Sequence, residues 1–397
     1  MEYNGSNIEA IVAEVIKSLQ GSNTPVRAGE VPQTARCAYL TAKQQIEVKT
    51  YPIPAITDDE VLVKVEGCGI CGTDVHEYKN DPFGLIPVVL GHEGTGEIVK
   101  LGKNVTQDMV GKPLKVGDKV VTCVTLTGDD EYTTLKPEKA NLSANMAVYG
   151  LLPDDAYHFN GWFGEYIILR KGSSLFNVND LSLDDRLLVE PFSVAMHAVE
   201  RAKTTQLLSF GTRVLVQGCG PIGLTVIAVL RTMGIQNIIA VDGDAQRLGV
   251  AKEFGADLTV NFKDFKDFEE MLRFVTKETN GGVDFAFQCT GAPSAASNIY
   301  KFIRRGGGLC ELGFFVNNGE ATINPHFDLC SKEITLVGSW VYTFRDYVNT
   351  FEFMKRAKAI GIPIHKLITH RFGLDEMNEA MAVNMKQAGI KIAYINK

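Results

Sequence analysis

The chain runs to 397 residues, 45% of them hydrophobic, which is too long for one ordinary core and apolar enough to fill two. A formal net charge of -7 presents no basic face to nucleic acid, and no apolar run approaches the ~20 residues that a membrane span needs. Eight cysteines at irregular spacing do not read as a disulfide framework, and the N-terminus lacks the basic start and apolar centre of a secretory signal, so a reducing cytoplasm is the expected setting.

At the N-terminus, Ile8, Ile11, Val12, Val15, Ile16 and Leu19 fall on one helical face. Ser6 and Glu9 form a capping box and Gly21 supplies the stop, which predicts an amphipathic helix of about fourteen residues, roughly 21 Å long. Residues 21–33, with Pro25, Gly29 and Pro32, read as a flexible linker. Such a helix is marginal alone and must dock on something, its own catalytic domain and a sister subunit being the plain choices. Glu2, Glu9 and Glu14, with no arginine before Arg27, argue against a mitochondrial transit peptide. Helix and linker together resemble the encapsulation peptides that send enzymes into bacterial microcompartments. That resemblance implies a shell protein as partner for residues 6–20.

From Ala38 to about Asp180 the texture changes to short β-rich runs: Glu60 to Val65, Gly96 to Val99, Asp118 to Val124 and Gly164 to Leu169. Within them lie Cys71 and His92-Glu93, with Glu190 further on. A thiolate, an imidazole and carboxylates make a mixed sulfur, nitrogen and oxygen set that suits zinc better than calcium or magnesium. Fewer than four tight protein ligands leave room for water or substrate, as at a catalytic zinc. Taken alone, Cys68 and Cys71 are a C-x-x-C that also fits a redox pair or two buried thiols. A ribbon is excluded because the chain has no second C-x-x-C. The polar segment from Thr125 to Phe159 carries no assignable element.

Glu190 opens a passage, Pro191 to Lys203, that should be helical with Pro191 in its first turn. Arg213 to Gln217 reads as a buried strand, followed directly by Gly218-x-Gly220-x-x-Gly223 and an apolar helix from Ile222 to Met233. In that strand-turn-helix context the glycines, with Pro221 and Ile222 between them, form a pyrophosphate-binding turn at a helix N-terminus. A second strand, Asn237 to Val241, ends in Asp242, which can accept hydrogen bonds from ribose hydroxyls and would repel a 2'-phosphate. NAD rather than NADP is therefore expected. Arg247 is the one nearby residue able to approach a 2'-phosphate, to stack on adenine or to face solvent. Strand and helix alternate onward to Gly313, completing a doubly wound sheet, with Cys289-Thr290-Gly291 turned toward the nicotinamide. After Trp340 a helix near Asp346 to Ala359 and a strand near Ile390 to Ile395 return the chain to the first domain.

The runs Gly69-Ile70-Cys71-Gly72-Thr73-Asp74, Gly91-His92-Glu93, Glu190-Pro191-Phe192-Ser193-Val194-Ala195 and Gly218-Cys219-Gly220-Pro221-Ile222-Gly223 resemble, in order and spacing, the zinc-dependent medium-chain dehydrogenase/reductase family. Its sorbitol, butanediol and threonine dehydrogenase branch is the most similar. The resemblance implies an α/β protein in four parts: helix and linker (1–35), a GroES-like β-barrel catalytic domain (36–189), a Rossmann domain binding NAD(H) (190–340), and a C-terminal return (341–397). It raises Glu190 from a helix-start carboxylate to a metal-site residue, with either Glu93 or Glu190 approaching the metal. It implies Lys391 at the pyrophosphate, and Thr73 and His76 as a proton relay from the substrate. Relatives with a structural zinc carry four cysteines after the region matching Gly117-Asp118-Lys119-Val120; only Cys123 stands there, so one catalytic zinc and no structural zinc are expected.

The implied activity is hydride transfer between NAD and an alcohol (a secondary alcohol, diol, polyol or short primary alcohol), giving a ketone or aldehyde. Phe159, Trp162 and Phe163 are candidates for a substrate pocket, and Arg345 for a polyol or acid. A tetramer is expected, with Thr335 to Ser339 as a pairing edge. The competing class is a non-catalytic binding or scaffold member of the same fold.

Overall fold

The computed structural model describes residues 31–126 and 130–396. The amphipathic helix expected at 6–20 and most of its linker lie outside the described residues. Short alternating runs form β1 (Thr34–Ala42), β2 (Gln45–Pro52) and β3 (Val61–Ile70), followed by helix α1 (Gly72–Asn80). Next come β4 (Val88–Val89), β5 (Glu93–Leu101), β6 (Lys119–Thr122), β7 (Thr125–Leu126), β8 (Ala147–Val148), β9 (Tyr166–Leu169) and β10 (Leu175–Asn177). The segment after Thr125, unassigned from sequence, is held by antiparallel pairing of β7 with β8 and by Asn141, whose Nδ2 donates to the Trp340 carbonyl at 2.7 Å.

Helix α2 (Leu183–Lys203) starts well before Pro191, which corrects the expected helix start. Ser182 caps it, its Oγ accepting from Asp185 N at 3.2 Å, and Asp184 and Asp185 complement the helix dipole. Pro191 forfeits one backbone bond mid-helix, but Leu187, Leu188, Val189 and Phe192 around it are buried, and packing holds the turn. Glu190 consequently projects from a helix interior rather than a helix end.

The second half alternates strictly: β11 (Arg213–Gln217), α3 (Pro221–Thr232), β12 (Asn237–Asp242), α4 (Ala245–Glu253), β13 (Leu258–Asn261), α5 (Phe268–Glu278), β14 (Val283–Gln288), α6 (Pro293–Phe302), β15 (Ile303–Glu311) and β16 (Thr335–Gly338). Among the described residues these strands make a six-stranded parallel sheet in the order β13-β12-β11-β14-β15-β16. The order reverses at β11, between β12 and β14, and a crevice for a ligand opens at such a switch point. β16 lies at the sheet edge, with Leu336 about half exposed.

Helix α7 (Phe344–Ala359), β17 (Ile368–Phe372), α8 (Met377–Met385) and β18 (Lys391–Ile395) bring the chain back. β18 pairs antiparallel with β3, Ile392 opposite Ile70, and enters the barrel sheet of order β10-β6-β5-β3-β18-β17, with β9 also on β3. The GroES-like and Rossmann-like architecture stands as the sequence implied. Phe159, Trp162 and Phe163 do not line a pocket: each is 0% exposed within the barrel cores. Arg345 is exposed on α7.

One polar cluster fastens α2 to the barrel. Buried Arg186 donates from Nη1 to the Glu66 carboxylate and to Thr95 Oγ1 at 3.3 Å, while Lys119 Nζ donates to Glu66 Oε1 at 2.8 Å and to Glu97 Oε2 at 2.6 Å. Burial pushes the Glu66 pKa up, but the hydrogen bonds from Arg186 and Lys119 outweigh it and leave the pKa lowered. A carboxylate with a lowered folded-state pKa adds stability that is complete above the ordinary glutamate range and is lost as pH falls through the folded value. Glu66→Gln is expected to cost about 1–2 kcal/mol at neutral pH, allowing for partial exposure. Urea titrations should show that deficit shrinking on acidification; an equal deficit at acid pH would refute the ion-pair account.

Candidate active site

The site is built where β3 runs into α1. Cys71 occupies the helix N-cap, and Asp74 in the first turn sends its carboxylate back: Oδ2 accepts from Cys71 N at 2.8 Å. The other oxygen, Oδ1, accepts from Gly91 N at 3.1 Å. One fully buried carboxylate therefore joins the Cys71 turn to the residue before His92. His92 Nδ1 lies 3.4 Å from Asp74 Oδ1 without hydrogen-bond geometry, so a buried ring nitrogen is left unsatisfied. Burial opposes charge on that ring, but Asp74 and then Cys71 more than offset it and hold its pKa well above the ordinary range. Cys68 is different in kind: it is fully buried in the barrel core, its thiol turned to the Gly69 carbonyl at 3.2 Å.

Glu93 opens β5 directly opposite Gly69 of β3. A Cβ on Gly69 would sit 1.9 Å from Glu93 Oε2, so glycine is what leaves the carboxylate its place. Lys391 Nζ donates to both oxygens of Glu93, at 2.6 and 2.7 Å. The register of β18 on β3 brings its first residue beside Ile70, so Lys391 pairs with Glu93 while lining the cavity of the site. Burial works against that ammonium, yet the Glu93 charge raises its pKa.

The ligand atoms of Cys71, His92 and Glu93 lie within 4.8 Å of one another. Glu190 opens on the same cavity outside this trio, its Oε1 accepting from Tyr342 Oη at 2.7 Å. Burial, and then the charge of Glu93, push its pKa up to about 7. A clustered sulfur, nitrogen and oxygen set with an orphaned ring nitrogen fits a zinc ion. Thr73 lines the cavity with its hydroxyl 3.7 Å from Cys71 Sγ. His76 packs edge-on against Phe315, ring centroids 5.5 Å apart, with its pKa lowered by burial and by Lys79.

The cavity, about 1460 Å³, continues from the trio to the switch point of the parallel sheet, where Gly218, Gly220, Pro221 and Ile222 line it. Gly218 turns at φ +91, and a Cβ on Gly223 would meet the Gly218 carbonyl at 1.7 Å, so the third glycine serves the close packing of turn on helix. Asp242 accepts from Cys219 N at 2.6 Å, Gly243 N at 2.7 Å and Asp244 N at 2.9 Å, which fixes its carboxylate at the cavity wall. Arg247 lines the same cavity, its Nη2 donating to the Gln387 and Gly389 carbonyls, both at 3.2 Å. Thr290 lines the same wall, its amide donating to Gln288 Oε1 at 2.8 Å. This Gly-rich helix start, backed by a fixed acidic side chain, fits a dinucleotide.

Two residues escaped the sequence reading. Asp74 was legible in principle, since an acidic residue three after an N-cap is a capping signature. Tyr342 carries no local signal and reaches Glu190 only through the fold.

Two family models match the chain: the alcohol dehydrogenase GroES-like domain over residues 57–180 and the zinc-binding dehydrogenase over residues 221–356. Sorbitol dehydrogenase from Bacillus subtilis is 33% identical over 380 residues, spanning 92% of this chain and 99% of its own. Sorbitol dehydrogenase from Homo sapiens is 31% identical over 358 residues, spanning 87% of this chain and 92% of its own. Among solved structures, an alcohol dehydrogenase from Thermotoga maritima superposes with a TM-score of 0.85 at 29% identity, over 92% of this chain and 100% of that one. The 2R,3R-butanediol dehydrogenase from Bacillus subtilis superposes with a TM-score of 0.77 at 29% identity, over 91% and 100%. The trio at the head of α1, the glycine turn after β11 and these full-length likenesses lead to one conclusion: the chain belongs to the zinc-binding medium-chain dehydrogenase family, among its sorbitol and butanediol dehydrogenase-like members.

Proposed function

We propose that this chain oxidises an alcohol, whether secondary, vicinal diol, polyol or short primary, to its ketone or aldehyde with NAD, and runs the reverse reduction. The observation that carries the reading is a single cavity lined at one end by Cys71, His92 and Glu93 and at the other by Gly218, Gly220 and Asp242. When bound, zinc supplies Lewis acidity to the substrate oxygen and the nicotinamide supplies or takes the hydride.

The residues of the chain do the rest. Cys71 and His92 hold the metal, and of the two carboxylates Glu93 is the one whose oxygen lies within the 4.8 Å group. Lys391 offsets the negative charge that Cys71 and Glu93 bring together, and Tyr342 keeps Glu190 oriented. Thr73 holds the hydroxyl of the substrate and starts its proton outward, with His76 as receiver. Asp242 accepts from the ribose hydroxyls, while Gly218, Gly220, Pro221, Ile222 and Gly223 cradle the pyrophosphate and Thr290 faces the nicotinamide. Arg247, tied to the Gln387 and Gly389 carbonyls, braces the wall beside Asp242. A division into 36–189, 190–340 and 341–397 is part of the proposal, with its first boundary inside α2 (Leu183–Lys203), the helix that links the two halves. One catalytic zinc per chain with no structural zinc, and a tetramer, complete the proposal.

A direct test measures NAD- and NADP-linked oxidation over a panel of alcohols, with zinc counted on the same protein. Activity with one zinc per chain and a clear preference for NAD is expected; zinc-bearing protein that neither binds NADH nor turns over would favour the scaffold class. Asp74→Asn is expected to weaken zinc retention against a chelator by about 10–100-fold, since it orients two ligand-bearing segments at once. Unchanged retention would show that the Cys71 and Gly91 segments are held by other means.

The amphipathic pattern at 6–20 supports a further reading, that the enzyme is microcompartment cargo within the cytoplasm. Deleting residues 1–20 is then expected to abolish co-purification with shell protein and leave turnover intact. Retained co-purification would sink that assignment.

A further inference from the structure

We infer that the alcohol taken by this site carries an apolar alkyl or aryl tail, and that hexitols and pentitols are poor substrates for it. The inference rests on the dehydrogenase reading and narrows its substrate class. The nucleotide half of the cavity is marked by Gly218, Asp242 and Thr290, which leaves the wall contributed by the barrel to face the substrate.

Among the described residues lining the cavity from Phe83 to Pro153, His92 and Glu93 alone are polar. The others are apolar and include Phe83, Leu85, Met146, Val148, Leu151 and Leu152. Their position relative to the trio follows from the backbone: Gly150 sits against the Gly91 backbone, so Leu151 and Leu152 follow directly beside the segment that carries His92. On the opposite side Phe315 touches Gly72, next to Cys71, and Trp340 and Val341 lead to Tyr342 beside Glu190; all line the same space. Thr73, Ser339 and Tyr342 are the hydroxyl side chains on this side, the last already donating to Glu190. Of the cations lining the cavity, Lys391 is held by Glu93 and Arg247 by two carbonyls beyond Asp242, while Lys263, Lys266 and Lys386 come from segments next to Asp242 or to those carbonyls rather than from the barrel wall.

The reaction itself needs one hydroxyl. The carbinol C–H leaves as hydride to NAD, its O–H proton leaves by way of Thr73, and the C=O forms as NAD becomes NADH. Every further hydroxyl of a sugar alcohol must exchange water for a partner, and this wall offers few. An unpartnered hydroxyl entering an apolar pocket costs roughly a hundredfold in kcat/KM, whereas each buried methylene gains roughly tenfold or more.

The test compares kcat/KM with NAD for ethanol, butanol, hexanol and benzyl alcohol against glycerol, xylitol and sorbitol, using the full chain with zinc counted. A rise of roughly tenfold or more from ethanol to butanol and again to hexanol is expected, with hexanol exceeding sorbitol by at least about a thousandfold. Binding without turnover supplies a second reading: in calorimetry on the NADH complex, unreactive hexanamide should bind roughly a hundredfold more tightly than gluconamide. Sorbitol or xylitol matching hexanol, a flat chain-length profile, or tighter gluconamide binding would each overturn the inference and leave the dehydrogenase reading standing. No NAD reduction with any alcohol from zinc-loaded protein would overturn both.

Discussion

A single buried carboxylate sets the geometry on which the rest of this site depends. Asp74 has no exposed surface, and a charge so placed is tolerated only where hydrogen bonds and a counter-charge answer it. The answering groups are the Cys71 and Gly91 amides, with the His92 ring alongside. Because Cys71 is the N-cap residue and His92 follows Gly91, satisfying the carboxylate also fixes the separation of two ligands that are far apart in sequence. Local capping chemistry and long-range assembly are here the same interaction.

Around that point, the buried carboxylates Glu93 and Glu190 each have a partner drawn from a different part of the chain. Glu93 is held by Lys391 from the last strand, and Glu190 by Tyr342 from the segment leaving the parallel sheet. β18 lies between β3 and β17 in the barrel sheet, so the returning strand that joins this sheet also delivers the counter-charge to the metal trio. Helix α2 carries Glu190 and is fastened at its start through Arg186 to Glu66. A shift of α2 against the barrel would therefore be felt at the trio, through a rigid element rather than through any local flexibility.

The nucleotide half needs less of this cooperation. Its glycine turn is dictated by sterics between Gly218 and Gly223, and Asp242 is fixed by three amides of its own turn and the neighbouring one. Such a unit is nearly self-contained, and for that reason it reads clearly from the chain. The barrel side is the opposite case. Its apolar wall gathers Phe83, Met146 and Leu151 from loops whose only common feature is their place in space.

By itself the sequence determined the class of fold, the strand-turn-helix around Gly218, the acidic end of β12, and Cys71, His92, Glu93 and Glu190 as metal-site candidates, with the choice between the two carboxylates open. Each follows from short-range constraints: hydrophobic periodicity, the steric needs of glycine, and donor types at fixed spacing. Tertiary structure alone decided the start of α2, where packing around Pro191 overrode the local preference for a helix start there. It alone turned Phe159, Trp162 and Phe163 into core, paired Lys391 with Glu93, drew Tyr342 to Glu190 and set His76 against Phe315. These are matters of register and burial, fixed by how one segment lies on another, and no window of neighbouring residues contains them.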